Sequence, residues 1–300
     1  MKFVKASEIP YVYGQEISSG KKDFKVAVFG DFAMQTGVAV PIMKEISKSD
    51  VDMVICTGDI FRHPSFASAF YLRNIFVNQM KKPYFCTPGN HDIVDNNSIF
   101  YRLFCESLQY YFSCGDTLFI VADTSDCSFD NKRFDYLKNI LKKHRSYYRR
   151  CVIITHTPPI SSPSVQYPAN KEFSRYLHEL SKEFMIDAII CGHFHIAETL
   201  NFNDIPVYIS HCSGQKIRSK KTPYFGYLLL HFKEDGSIHE NYIFKPELKR
   251  SRNYFHGFIL ENVLSNHLWL TYSVSLFIAG IFSLAVITFL EKKNRLLSCR

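Results

Sequence analysis

The sequence predicts an α/β domain followed by one membrane-spanning helix, and three observations carry that expectation. Five short apolar runs each lead into a loop that bears a metal-capable side chain. Stretches with apolar residues at helical spacing lie between several of those runs. A 23-residue run without a formal charge, residues 268–290, stands close to the C-terminal end. With 300 residues, 46% of them hydrophobic, the chain suffices for one large domain plus an appendage.

Residues 1–24 read as an N-terminal lead-in, with neither the apolar core of a secretory signal nor an Arg-rich amphipathic helix. Lys25-Val26-Ala27-Val28-Phe29 is a buried strand that delivers Gly30-Asp31 to a loop. Val40, Ile42, Met43 and Ile46 mark a helix within 38–49 that covers one sheet face. Met53-Val54-Ile55-Cys56 is the next strand and leads into Thr57-Gly58-Asp59. A second helix is expected over 66–80. Tyr84-Phe85-Cys86 then presents Thr87-Pro88-Gly89-Asn90-His91-Asp92, and a third helix follows over 97–108.

The apolar period changes in the middle of the chain. Residues 110–113 and 117–122 flank Cys114-Gly115-Asp116 and read as a hairpin. Phe134, Leu137 and Leu141 recur at helical spacing, and Cys151-Val152-Ile153-Ile154-Thr155 ends in His156. Thr157-Pro158-Pro159 opens a loop through Ser161, Ser162, Pro163 and Pro168 that is expected to shape a pocket. Phe173, Leu177, Leu180 and Phe184 form the stripe of another helix. Ala188-Ile189-Ile190-Cys191 ends in Gly192-His193-Phe194-His195. Strands at 207–210, 224–232 and 237–244 complete the domain, the last two joined by Glu234-Asp235-Gly236. The domain thus spans 25–246, with a juxtamembrane linker at 247–266, a transmembrane helix at 267–290 and a basic tail at 291–300.

Carboxyl ends of buried strands are where open α/β sheets place their ligand sites. Asn90 offers a neutral carbonyl oxygen, His91 an imidazole able to give or take a proton, and Asp92 a carboxylate able to hold that ring. The series Gly-Asp, Gly-Asp, Gly-Asn-His-Asp, His and Gly-x-His-x-His, from about residue 25 to 244, resembles the calcineurin-like metallophosphoesterase superfamily. Within it the chain looks most similar to the purple acid phosphatase type. Gly30-Asp31-Phe32-Ala33 lacks the His that most of the superfamily carries two residues after the Asp.

The resemblance implies a sandwich of two mixed β-sheets flanked by helices, and a site for two divalent ions, Mn, Zn or Fe. It implies that Asp59 bridges the ions, that Asn90, His156 and His193 complete one, and that Asp31 and His195 complete the other. His91 would act on the phosphoester beside the ions, oriented by Asp92, with a water activated by the ions as nucleophile. Two positions depart from the pattern. Ala33 has no ligand atom, and Arg62 stands where the purple enzymes place a Tyr, so one ion lacks a protein ligand that water, His63 or Gln35 would replace. Arg62 is suited to clamp a substrate phosphate. His63, His144, His178, His211, His231, His239, His256 and His267 are read as surface or core histidines outside the site.

The net charge of +8 is dispersed along the chain, so no nucleic acid is expected as partner; a phosphoester substrate, in one version membrane-associated, and a lipid bilayer are. The nine cysteines form no Cys-x-x-Cys pair; Cys56, Cys86, Cys151 and Cys191 read as buried apolar residues of a reducing compartment. At ~1.5 Å per residue, 268–290 reaches roughly 34 Å, enough to cross a bilayer core. Trp269 and Tyr272 at one end and Lys292, Lys293 and Arg295 at the other suit its interfaces. The expectation is a single-pass C-terminal anchor with the catalytic domain on the cytoplasmic side. Two functions follow from these readings: a membrane-anchored phosphoesterase, or a phosphatase-like scaffold of weak or no activity that brings a protein partner to a membrane.

Overall fold

The computed structural model describes residues 16–17, 21–95, 97–105, 107–218 and 223–249. The expected membrane run lies outside these, and no helix among the described residues is long and apolar enough to cross a membrane.

Two mixed sheets form, as the resemblance implies. The smaller has the order β12-β11-β2-β3-β4, with β2 (Phe24–Phe29), β3 (Met53–Cys56) and β4 (Tyr84–Cys86) parallel and β11 (Phe225–Phe232) and β12 (Ile238–Lys245) closing one side antiparallel. The larger has seven strands. Its centre is the parallel series β6 (Thr117–Val121), β7 (Arg150–Ile154), β8 (Ala188–Cys191) and β10 (Ile205–Ile209). On one side of that centre β5 (Tyr110–Cys114) and the two-residue β1 (Glu16–Ile17) continue the sheet; on the other lies β9 (Glu198–Phe202).

The central strands are largely apolar because both of their faces are covered, and Arg150 at the start of β7 is the buried exception, paired with Asp116. Phe24, Val26, Val28, Ile55, Phe85, Phe112, Phe119, Val152 and Ile190 fill the space between the sheets, where the Phe85 and Phe112 rings stack with centroids 3.6 Å apart. The outer face of the smaller sheet packs under α1 (Thr36–Lys48), α2 (Phe66–Gln79) and α3 (Ile99–Phe104). That of the larger packs under α4 (Asn131–His144) and α5 (Lys171–Glu183). Cys56, Cys86, Cys151 and Cys191 are buried as expected.

The sequence reading left β9 out. Its alternation of half-buried and exposed residues is that of an edge strand, and Asn203 and Asp204, at φ 50° and 66°, form the two-residue turn that folds it onto β10. Helix α3 is shorter than the expected span and stops at Cys105. The consequence for function is geometric. The carboxyl ends of β2, β3 and β4 from one sheet and of β7, β8 and β10 from the other lie together, and every loop named below leaves from one of them.

Candidate metal centre

The carboxylates of Asp31 and Asp59 are 0% and 1% exposed. Two buried acids in one place are costly unless cations or hydrogen bonds compensate them. What surrounds them is a set of aimed lone pairs. The Nδ1 of His156 lies 2.7 Å from the Thr57 carbonyl, which can only accept, so the proton is on Nδ1 and the Nε2 lone pair faces the site. His195 repeats the arrangement: its Nδ1 donates to the Lys216 carbonyl at 2.9 Å, and its Nε2 lies 3.4 Å from Asp31 Oδ1. A backbone carbonyl that fixes the tautomer is the usual support of a metal-binding imidazole.

The donors fall into two groups. In the first, Asn90 Oδ1 is 3.1 Å from His156 Nε2 and 3.0 Å from His193 Nδ1, and the two ring nitrogens are 3.2 Å apart. Neighbouring donors on a six-coordinate divalent ion with bonds of ~2.1 Å are ~3 Å apart, so this triangle matches one face of such a shell. In the second, one ligand atom each from Asp31, Asp59 and His195 lies within 4.8 Å of the others. Asp59 faces both groups, with Oδ1 3.5 Å from His156 Nε2 and Oδ2 on the side of Gln215. The residues present therefore fit divalent cations, on the chemistry of the donor set and its spacing.

Electrostatics point the same way. Burial alone would raise the Asp31 carboxyl, but His195 beside it, and then the His156 and His193 imidazoles, hold it below the ordinary value. Burial opposes protonation of His156, yet the charges of Asp59 and Asp31 outweigh it and push that imidazole upward. Burial and the adjacent His156 press His193 down to about 3, which favours its neutral imidazole. The site thus attracts positive charge but has imidazoles it cannot all protonate.

Holding these donors strains the chain. Asp31, Asp59, His193 and His195 have φ of 53°, 52°, 69° and 55°, a region that side-chain-bearing residues seldom occupy and that marks functional sites. Gly58, at φ 90°, lets the second and third loops touch, since a Cβ there would stand 2.5 Å from the Gly89 nitrogen.

Asp92 does something other than orient the His91 ring. Its Oδ2 accepts from the Asp59 and Gly89 N–H groups at 2.9 and 2.8 Å and its Oδ1 from the Phe61 N–H at 2.9 Å, so it ties the two loops together. Burial, and then the charge of Asp59, raise its carboxyl to about 7 despite those bonds. His91 is exposed; its backbone N–H donates to Asp59 Oδ1 at 2.9 Å and its ring Nε2 is 4.0 Å from Asp59 Oδ2. Arg62 and His63 are exposed, and burial, then the Arg62 charge, then His91 depress the His63 imidazole. His63 is absent from the Asp31, Asp59 and His195 group.

Three neighbours were missed in the sequence. Tyr167, in the loop after β7, has its ring centroid 6.0 Å from that of His193, which places that loop beside the site as expected. Arg218 stacks 3.7 Å over Tyr167 and donates to the His193 carbonyl at 3.0 Å. Gln215 donates to Asp59 Oδ2 at 3.2 Å. Tyr167 and Arg218 carry no local signal. Gln215 does: it follows an apolar strand and a glycine, the same order of residues that announced Asp31 and Asp59.

The sequence profile of the calcineurin-like phosphoesterase family matches residues 24–197, more than half of the chain. The chain belongs to the calcineurin-like phosphoesterase family. No curated protein matches the sequence. Solved structures share the fold at low identity. GAP50, the anchor in the inner membrane complex of Plasmodium, is 16% identical with a TM-score of 0.60 over 80% of this chain and 95% of its own. A purple acid phosphatase from yellow lupin seeds is 14% identical with a TM-score of 0.57, over 78% of this chain and 53% of its own. A dimetal phosphatase from Danio rerio is 11% identical with a TM-score of 0.55, over 75% of this chain and 99% of its own. Membership of the family supports a phosphoester hydrolase that uses divalent metals, and the Asp31, Asp59 and His195 cluster is a candidate site for one.

Proposed function

We propose that this calcineurin-like phosphoesterase is a membrane-anchored hydrolase of a phosphomonoester or phosphodiester, working at a dinuclear metal centre. The observation that carries the reading is the position of Asp59, whose Oδ1 is 3.5 Å from His156 Nε2 in the triangle with Asn90 and His193 and whose carboxylate also lies within 4.8 Å of the Asp31 and His195 donors. Asn90, His156 and His193 would hold one ion, Asp31 and His195 the other, and Asp59 both. When bound, divalent ions supply Lewis acidity that neutralises phosphoester charge and activates water.

The chain's own residues do the rest. His91 is exposed beside Asp59 and is the group placed to give a proton to the leaving oxygen. Asp92 keeps that loop in place through its three backbone bonds. Arg62, exposed and, like His91, close enough to His63 to depress its imidazole, supplies a guanidinium for the anionic ester. The test is metal content of the purified full chain in detergent, together with hydrolysis of 4-nitrophenyl phosphate and bis(4-nitrophenyl) phosphate. Two ions per chain and hydrolysis abolished by chelation are the expected result.

A second reading has support of its own. Ala33 and Arg62 remove a ligand from one ion, and the fold neighbour described as a membrane-complex anchor shows the architecture in a structural setting. Two bound ions with no turnover of either ester would favour that scaffold. In both readings residues 268–290 are the anchor and the catalytic domain faces the cytoplasm, with a substrate that is membrane-associated in one version. Each Arg at the centre of such a helix costs ~2.5–3.5 kcal/mol on insertion scales. Ala279→Arg with Leu284→Arg, or truncation after Asn266, is expected to release the protein from membranes with its metals and any hydrolytic activity intact; retention after a salt wash refutes the anchor.

A further inference from the structure

On the dinuclear reading, the ion shared by Asp31, Asp59 and His195 lacks a protein ligand, because position 33 is Ala and position 62 is an exposed Arg. A guanidinium has no lone pair to give a cation. His63 stands with Arg62 and His91 rather than with the three donors. A carboxamide is held against Asp59 by the loop that joins β10 to β11.

We infer that the Gln215 carboxamide oxygen is the replacement ligand. The amide end of Gln215 is 3.2 Å from Asp59 Oδ2, the spacing of adjacent donors on one ion. Its nitrogen has no available lone pair, but rotation about the last side-chain bond exchanges nitrogen and oxygen at that place. A neutral carboxamide is also a ligand type the site already uses, at Asn90.

The placement of Gln215 is built into the fold. Its backbone N–H donates to the Asp31 carbonyl at 2.8 Å, and the Ser213 N–H donates to the Gly30 carbonyl at 3.0 Å. On the other side, the carbonyl of the next residue, Lys216, holds His195 Nδ1 at 2.9 Å. The turn can approach this closely because residue 214 is glycine; a Cβ there would lie 2.7 Å from Gln35 Cβ and 2.9 Å from the Phe32 oxygen. Gln215 is therefore tied through the main chain to both private ligands of the same ion. A loop residue with a solvent role has no need of such bonds.

Two roles for Gln215 give opposite results on substitution. If its oxygen binds the ion, Gln215→Glu keeps a donor of the same length and adds charge, so affinity holds or rises. If it only donates N–H to Asp59, Gln215→Leu removes one hydrogen bond and no ligand, so both ions stay bound. The experiment is Mn²⁺ binding by equilibrium dialysis on the full-length chain in detergent, with the EPR signal of a spin-coupled Mn pair as a second readout. The wild type is expected to bind two Mn²⁺ and show the coupled signal. Gln215→Leu is expected to weaken the second ion by ~10–100-fold and lose coupling, and Gln215→Glu to retain both. Weaker binding in Gln215→Glu, or two ions bound unchanged in Gln215→Leu, overturns the ligand assignment while leaving the dinuclear centre in place. A single ion in the wild type overturns both.

Discussion

Asp59→Asn is expected to empty the centre and lower phosphoester turnover by on the order of 10²–10³-fold or more, the scale of loss when one preorganised charge-stabilising group is removed. The Asp59 carboxylate is 1% exposed and faces both donor groups, so loss of its charge weakens whatever cation either group holds. Asn also gives only one oxygen where Asp gives two. Asn90→Ala touches only the triangle with His156 and His193 and should cost one ion. Elemental analysis of the two variants beside turnover of an aryl phosphate checks this. Equal loss of both ions from Asn90→Ala would refute Asp59 as the bridge.

His91→Ala is expected to behave in the opposite manner, with metals kept and turnover reduced by ~100-fold, the range for a general acid. The ring is exposed, and the backbone N–H of the residue donates to Asp59 Oδ1, a bond that alanine retains. Asp92, which braces the loop from below through the Asp59, Phe61 and Gly89 N–H groups, is untouched by the change. Metal content and kcat measured on one preparation separate the roles. Loss of metal in His91→Ala would make the residue structural.

Much of the site was legible in the sequence because its signals are local. A strand with both faces covered reads as an unbroken apolar run, as in Met53 to Cys56 or Ala188 to Cys191, and the loop that follows shows its glycine and its donor directly. Asp31, Asp59, Asn90, His156, His193 and His195 were all found this way, and the structure brings them together. β9 escaped because an edge strand with alternating exposure and two polar turn residues looks like a loop when its partner is unknown.

Asp92 shows where such reading stops. Next to His91 in sequence, it suggested a side-chain pair, but its carboxylate is enclosed by N–H groups from two loops whose meeting depends on Gly58 lying against Gly89. Periodicity within a few residues showed most of the strands and their order along the chain, and the resemblance to a family, carried by short motifs, pointed to the six candidate donors. Only the tertiary structure decided which donors share a neighbourhood, that Asp59 faces two groups, and that Gln215 reaches Asp59 from the loop that joins β10 to β11. Those are distances between strand ends far apart in the chain, and they are set by how two sheets pack across a core of Phe24, Phe85, Phe112 and Phe119, which no local pattern encodes.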